Sequence, residues 1–234
     1  MAQSFFFSLI LLVFQASPGH GITEGIPSES VSSQRTDSIN QSLYNGRIWQ
    51  NSYYMIKENQ FLFSTSFLAG SVTMRGKTFS DVSLRYDIFS DELLIPFYSG
   101  GIMQLNKEMV DSFSIVYNGK EYRFVNFPVD PTGGPNGYFN VLYHGKSDLL
   151  VKYLKKIEKL SEGKFDSFYD LKKIYIRKDG HFHLIRGKKD VIMLFQDKKA
   201  IKGFVKANKL DLSNDEPESY IPVLGYMDKL AQKR

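Results

Sequence analysis

Cysteine is absent from this chain of 234 residues. That absence excludes disulfide bonds, a lipid-modified cysteine at a mature N-terminus, thiol catalysis and cysteine-based metal sites. The apolar run FFFSLILLVF, residues 5–14, falls well short of the roughly 20 residues that span a bilayer. Because disulfide bonds are excluded, the folded domain must be held together by packing. The 19 Phe and 14 Tyr residues provide large side chains for that packing.

The N-terminal segment predicts export. The apolar run is followed by the small-residue stretch ASPGHG, which ends at Gly21, and this order is typical of a secretory signal peptide. We therefore expect residues 1–21 to be removed. Residues 22–42 are polar and Ser-rich without a period that buries a face, which predicts a flexible leader. The expected location is periplasmic or extracellular, without a lipid anchor and with no transmembrane segment in the mature chain.

Two kinds of apolar periodicity follow the leader. Short runs of alternating apolar and polar residues indicate strands, and Asn118-Gly119 between residues 111–117 and 120–127 is the typical two-residue turn of a hairpin. Apolar residues at helical spacing appear later, in residues 190–210 and 219–231. Strands therefore come first and helices last, an order that favours the α+β class.

The predicted domain is residues 43–234, with strands mainly in residues 43–186 and helices in residues 189–231. We expect an aromatic-rich antiparallel β-sheet, either a curved meander or a half-open barrel, followed by C-terminal helices. Periodicity leaves residues 149–160 open, because their apolar positions fit both a helix and a strand.

The stretch VSLRYDIFSDELLIPF, residues 82–97, raises the question of a reactive trio at Arg85, Tyr86 and Asp87. Side chains two apart on a strand share a face, so Tyr86 is predicted to face the core while Arg85 and Asp87 project together from the other face. A solvated outer face explains this pair without chemistry, since exposed ion pairs contribute about 0–1 kcal/mol. The carboxylates of Asp91 and Glu92 are interpreted as a turn before the next strand. The inward set is Val82, Leu84, Tyr86 and Ile88.

The sequence predicts no catalytic, cofactor-binding or metal-binding residue. His181 and His183 flank Phe182 on a predicted strand and share a face, but two ligands do not make a metal site. No G-x-S-x-G nucleophile motif occurs, and the glycines of GPNG and SGG do not precede a helix in a βα unit that would hold a phosphate.

Positive charge is concentrated in one part of the chain, since residues 146–209 contain 18 Lys+Arg and 8 Asp+Glu. One hypothesis is a surface for an anionic glycan, a lipid or an acidic protein. The alternative is a solvated face that maintains solubility, which the excess of lysine over arginine favours because specific anion recognition usually recruits arginine. Export disfavours nucleic acid as a partner. The candidate residues are Lys152, Lys155, Lys156, Lys172, Lys173 and Arg177.

Three segments carry a resemblance: FLAGSVTMRGKTFSDVSLRYDIFSDELL at residues 67–94, GYFNVLYHGKSDLLVKYLKK at 137–156 and DKKAIKGFVKANKL at 197–210. The pattern resembles a family of exported proteins of Bacteroidota that has no known activity. The resemblance implies an envelope or secreted location and supplies no catalytic residues.

These observations leave three hypotheses for function. The first is a non-catalytic exported envelope protein with a binding or assembly role. The second is a carrier of an amphiphilic ligand, which needs an apolar cavity in the curved sheet. The third is an unrecognised hydrolase, which needs a cleft that collects carboxylates or the His181 and His183 pair.

Overall fold

The computed structural model describes residues 42–56, 58–97, 100–131, 133–159 and 166–232. The predicted signal peptide, and the predicted leader apart from Ser42, lie outside the described residues. Within these ranges no helix is both long and apolar enough to cross a membrane.

Eleven strands in the described part of the chain form one antiparallel sheet. The order across the sheet is β1-β5-β4-β3-β2-β6-β7-β8-β9-β10-β11, so most neighbours in space are neighbours in sequence. The sheet is open, and the α+β meander predicted from the sequence is confirmed. The strands are β1 (Gly46–Ile48), β2 (Leu68–Met74), β3 (Lys77–Asp87), β4 (Glu92–Pro96), β5 (Ile102–Leu105), β6 (Val110–Tyr117), β7 (Lys120–Phe127), β8 (Gly137–Tyr143), β9 (Ser147–Glu158), β10 (Ser167–Lys178) and β11 (His181–Ile185).

Two-residue turns connect several of these strands. Asn118-Gly119 joins β6 to β7 with φ angles of 48° and 75°, and Arg75-Gly76 and Asp179-Gly180 have positive φ at both residues as well. This conformation matches the twist of the flanking strands, which is why glycine is favoured in the second position. The open question about residues 149–160 is also answered, because β9 covers most of that segment as a strand.

The sheet curls back on itself. The backbone N–H of Lys155 on β9 donates to the carbonyl of Ile88, just after β3, at 3.3 Å, although these strands are not neighbours in the sheet. Aromatic rings fill the core that this curl encloses, with Phe113 stacked on Phe124 at a centroid distance of 4.6 Å. Full burial stabilises by about 1.5–3 kcal/mol for each large apolar side chain. This core includes the rings of Tyr86, Phe113, Phe124 and Tyr138.

Three α-helices in the described part of the chain cover the other end of the sheet. They are α1 (Lys188–Leu194), α2 (Lys198–Ala207) and α3 (Ile221–Gln232). The Oδ1 atom of Asp197 accepts a hydrogen bond from the backbone N–H of Ala200 at 2.9 Å and so caps the start of α2. A second core lies between these helices and β9 to β11, formed by residues such as Val151, Ile176 and Val223.

The predicted facing of β3 is confirmed for Tyr86 and wrong for Asp87. Tyr86 is 1% exposed in the core, but Asp87 is fully buried as well. The reason is the preceding segment: Gln60 and Leu62 pair through their backbones with the end of β3 and cover its outer face. Gln60 also donates from Nε2 to Asp87 Oδ2 at 2.8 Å. Strand alternation cannot anticipate a face that a distant loop covers.

Arg85 also departs from the predicted wet face, because it is half-buried among aromatic rings. Its guanidinium lies 4.2 Å from the ring centroid of Phe61 and 4.4 Å from that of Phe67. One terminal nitrogen donates to the carbonyl of Thr65 at 2.7 Å. Burial lowers the pKa of Arg85, an effect that the neighbouring Asp87 opposes. The Arg85 side chain therefore holds the loop that precedes β2 against strand β3.

Candidate functional site: a polar groove beside Asp91

A groove of about 1030 Å³ opens where the edge strand β1 and its neighbour β5 face the end of β7 and the start of β8. Its size lies at the upper end of the range for small-molecule sites, about 300–1,000 Å³. Polar side chains dominate its lining, and five of them are carboxamides. These are Asn45, Gln104, Asn106, Asn126 and Asn136.

The floor of the groove is fixed by side-chain hydrogen bonds to the backbone. A 3₁₀ turn, Lys107–Met109, follows β5, and Asn106 caps it by accepting from the backbone N–H of Glu108 at 3.2 Å. Asn126 on β7 donates from Nδ2 to the carbonyls of Lys107 and Val110, both at 2.8 Å. These bonds hold β5, the turn and β7 at a fixed separation.

A partly buried ion cluster centred on Asp91 lies behind one wall of the groove. Asp91 Oδ2 accepts from Lys107 Nζ at 2.7 Å and from Lys152 Nζ at 3.0 Å. The hydroxyl of Tyr86 donates to Asp91 Oδ1 at 2.5 Å. Burial opposes ionisation of the carboxyl, but the two lysines outweigh it and hold the pKa of Asp91 below its ordinary value. The cluster therefore joins the turn after β3, the 3₁₀ turn and β9 through one carboxylate.

Gly137, the first residue of β8, lies against this cluster. Its φ angle is +86°, a conformation that L side chains rarely adopt, and a Cβ atom there would overlap Asp91 Oδ2. The preceding residue, Asn136, contributes its carbonyl as an acceptor for Lys152 Nζ at 2.5 Å. Glycine at 137 thus allows the β7 to β8 loop to approach the ion cluster and complete the groove wall.

Several polar groups of the groove have no partner among the described residues. Glu92 Oε2 is buried without a hydrogen bond, and burial raises the pKa of Glu92 although Lys107 and Gln104 oppose the shift. The side chains of Asn45 and Asn136 are exposed in the lining. An unsatisfied buried acceptor costs about 1–3 kcal/mol. Because Glu92 Oε2 is buried, the exposed carboxamides of Asn45 and Asn136 are the groups that a ligand in the groove can reach.

Tyr138 supplies a second unsatisfied group close to Asp91. The residue is 1% exposed and its hydroxyl has no hydrogen-bond partner among the described residues. Lys107 Nζ lies 5.1 Å from the ring centroid. Burial, reinforced by the negative charges of Glu92 and Asp91, raises the pKa of Tyr138, so the hydroxyl remains protonated.

Charge in the lining is nearly balanced. Arg47 and Lys107 are the two cations, against the three carboxylates of Glu92, Glu108 and Asp111. Arg47 Nε donates to the side-chain oxygen of Gln104 at 3.1 Å, and Lys107 is paired with Asp91. The groove thus presents hydrogen-bonding groups of both kinds without an excess of positive charge.

The six basic residues nominated by the sequence lie on β9 and β10, and the register of these strands shows which share a face. Lys152 pairs directly with Lys173, and Asp148 pairs with Arg177. Since directly opposed residues point to the same side, the six residues divide between two faces. Lys152, Lys156, Lys173 and Arg177 lie on one face, whereas Lys155 and Lys172 lie on the other.

Four of these six residues contact other parts of the chain. Lys156 and Lys173 are exposed strand residues. The sequence set is therefore not one free surface, and binding of an anionic glycan, lipid or acidic protein there stays a prediction. The engaged residues are Lys152 with Asp91, Lys155 with the carbonyl of Asn59, Lys172 with the carbonyl of Asp215, and Arg177 with Asp148.

His181 and His183 lie exposed on β11, at one edge of the sheet. Among the described residues no group of three or more His, Asp or Glu side chains is arranged to hold a metal ion. The pair is explained by its position beside the turn at Asp179-Gly180.

Sequence reasoning missed Asp91, Lys107 and Gly137 as parts of one arrangement. The sequence indicates only a turn at Asp91-Glu92, and Gly137 is there only the last glycine of GPNG. Lys152 and Asp91 are 61 residues apart in the chain, and no local pattern links them. The one local signal was a pair of adjacent carboxylates at the end of a core strand.

Comparison with known proteins gives no match for this chain among family models, curated proteins or solved structures.

Proposed function

We propose that this chain is an exported, non-catalytic binding protein of the cell envelope whose ligand occupies the polar groove beside Asp91. The observation that carries the proposal is a groove of about 1030 Å³ whose lining presents the exposed carboxamides of Asn45 and Asn136. Each carboxamide can both donate and accept hydrogen bonds, so a ligand with polar groups can pair with both of them.

Rigid walls support binding. Gly137 and Asn136 lie against the Asp91 cluster. Asn126 on β7 hydrogen-bonds the backbone of the 3₁₀ turn. A preorganised site loses little conformational entropy when it binds. The Asp91 carboxylate behind the wall is already fully engaged, because it accepts hydrogen bonds from two lysines and a tyrosine. Asp91 therefore serves as a support for the site.

We favour this function over a carrier of an amphiphile because aromatic rings fill the curve of the sheet. Tyr86, Phe113 and Tyr138 pack edge to face with centroid distances of 5.0–5.6 Å. An acyl chain would have to displace them, and each buried ring contributes about 1.5–3 kcal/mol.

A hydrolase is the second candidate, and Glu92 is the observation that favours it. Glu92 lines the groove with a raised pKa, while the adjacent Asp91 has a lowered pKa. In many hydrolases, the environments of two neighbouring carboxyl groups give them different pKa values, so that one acts as an acid and the other as a base. In this alternative Glu92 would donate a proton to a leaving group.

Site-specific photocrosslinking in the native host tests the binding function. A photoreactive residue replaces Val129 at the groove or Tyr54 outside its lining, and these side chains are matched at 77% exposed. We expect a defined adduct at position 129 and none of the same mass at position 54. Equal adducts at both positions, or a specific adduct at 54 alone, would contradict the proposal.

Glu92→Gln separates the binding protein from the hydrolase. Glutamine keeps the shape of the side chain but has no proton of suitable acidity to transfer. For a binding protein we expect the adduct at position 129 to have the same mass whether or not the Glu92→Gln substitution is present. A hydrolase would give a shortened adduct with Glu92 and the intact ligand only in the variant.

A further inference from the structure

We infer that the ligand of the groove is an uncharged, hydroxyl-rich oligosaccharide, an inference that rests on the function proposed above. The first step concerns charge. A strongly anionic ligand needs an excess of cations, whereas Lys107 is paired with Asp91 and the charge of Arg47 is outnumbered by the carboxylates of the lining. The carboxylates of Glu92, Glu108 and Asp111 add negative charge to the lining. An acidic ligand would be repelled by these three groups.

The second step concerns hydrogen bonding. A hydroxyl both donates and accepts, and a carboxamide offers both functions as well. Asn45 and Asn136 present exposed carboxamides from opposite sides of the lining, just before β1 and just before β8. A chain of hydroxyl groups satisfies both side chains, whereas an apolar ligand satisfies neither of them.

The third step concerns the apolar strip at the rim. Phe127, Pro128 and Val129 lie consecutively in the lining, and Val129 is 77% exposed. The ring of Phe127 packs against Phe139 at 5.5 Å and Phe182 at 5.1 Å and is covered by the Arg177 guanidinium at 5.0 Å, so the exposed Pro128 and Val129 present the apolar surface. An apolar strip beside polar groups matches a sugar ring, which has an apolar C–H face and a polar hydroxyl edge.

The fourth step concerns size. The groove of about 1030 Å³ is as large as the sites that hold whole drug-sized ligands, about 300–1,000 Å³. It extends from β1 across the 3₁₀ turn to the start of β8. A ligand of several linked sugar units fits such a groove better than a single monosaccharide.

The test measures retention of the folded chain on four immobilised probes: neutral oligosaccharides, uronic-acid oligosaccharides, vesicles with anionic lipid, and an unstructured polypeptide. Asn45→Ala combined with Asn136→Ala removes two exposed groove carboxamides. Gln196→Ala is the matched control, because Gln196 is an exposed carboxamide in the link between α1 and α2. Circular dichroism confirms that each variant is folded.

We expect retention on neutral oligosaccharides, weakened about tenfold by the double variant and unchanged by the control, which corresponds to about 1.4 kcal/mol. Sodium chloride should have little effect, because salt screens charge pairs and leaves neutral contacts intact. Retention only on the uronic acids, the vesicles or the polypeptide would overturn the inference. Neutral retention that the double variant does not weaken would overturn it as well.

The two proposals fail separately. If position 129 captures a ligand that is not a glycan, the oligosaccharide inference is wrong and the binding function stands. If position 129 captures nothing that position 54 does not, the binding function itself is wrong.

Discussion

Gly137 lies so close to Asp91 that a Cβ atom at position 137 would overlap Asp91 Oδ2 and approach Lys152 Nζ to 2.8 Å. The start of β8 and the turn after β3 are thereby placed in direct contact. Because β8 carries one wall of the groove, the shape of the groove depends on this single close approach.

Gly137→Ala should destabilise the fold by about 2–3 kcal/mol, because it combines an unfavourable positive φ with displacement of the Asp91 carboxylate. Gly180→Ala is the matched control, since Gly180 has a φ of +81° and nothing within 4 Å of its added Cβ. The control should lose only about 1 kcal/mol of stability, the cost of placing an alanine at positive φ. Urea unfolding midpoints give both values, and equal losses would show that the contact with Asp91 is unimportant.

Asp87→Ala should cost about 2–3 kcal/mol, because it removes the acceptor of the backbone N–H groups of Phe89 and Ser90, each at 3.0 Å. Asp87→Asn keeps an acceptor oxygen and should cost less. Tyr86→Ala should cost on the order of 3 kcal/mol through the cavity it leaves. Guanidinium unfolding of the three variants provides the comparison. A loss below about 0.5 kcal/mol for Asp87→Ala would mean that Asp87 is solvated.

Asp91→Asn should destabilise the protein by about 2–4 kcal/mol at pH 7, since Lys107 and Lys152 lose their shared counter-ion. The folded pKa of Asp91 is lowered. Its contribution is therefore complete above the unfolded pKa of about 3.9 and is lost as the pH falls through the folded value. The difference from wild type should shrink steadily below about pH 4.

Urea unfolding of wild type and Asp91→Asn between pH 7 and pH 3 measures this dependence. Asp211→Asn, which replaces an exposed carboxylate, is the control and should change stability by less than about 0.5 kcal/mol at pH 7. A difference for Asp91→Asn that grows on acidification would contradict the assignment of Asp91 as an ionised support.

Lys152→Gln and Lys173→Gln should differ sharply although these residues oppose each other across β9 and β10. Lys152 donates to Asp91 and to the Asn136 carbonyl, so its loss should cost about 1.5–3 kcal/mol. Lys173 is exposed, and its loss should cost less than about 0.5 kcal/mol. Thermal unfolding, followed by circular dichroism, measures the stability of both variants. Equal losses of stability would show that both lysines are solvated.

The mature protein should begin at Ile22. The apolar run of residues 5–14 and the small residues up to Gly21 motivate this expectation. N-terminal sequencing of the protein recovered from the envelope and the medium measures it. A first residue within 1–10 would show that the apolar run is retained.

The strands and their turns could be predicted because their signals are local. Asn118-Gly119 and Asp179-Gly180 specify tight turns by their own conformational preferences, whatever the rest of the chain does. The inward facing of Tyr86 followed from alternation within one strand. The strand or helix choice at residues 149–160 had no such signal, and pairing of β9 with both β8 and β10 decided it.

The groove could not be predicted, because it depends on contacts between distant segments. Asp87 was assigned to the solvent since nothing within β3 indicates that Gln60 and its neighbours cover it. Lys152 was grouped with other lysines by sequence proximity, whereas its partner Asp91 lies on the far side of the curl. Residue identity shows which groups can pair, but only the path of the sheet shows which of them meet.

The curl of the sheet determines the order in which parts of the chain fold. Strands β2 to β8 pair mainly with sequence neighbours and need only short loops to close, but Lys152 must reach Asp91 across 61 residues. We therefore expect the groove wall to form only after the strands of the meander have paired. In pulse-labelled hydrogen exchange during refolding, the amide of Lys155, which bonds Ile88, should gain protection later than the amides of the β6 to β7 hairpin. Under the function proposed above, a newly exported chain would be unable to bind its ligand until β9 has packed beside the end of β3.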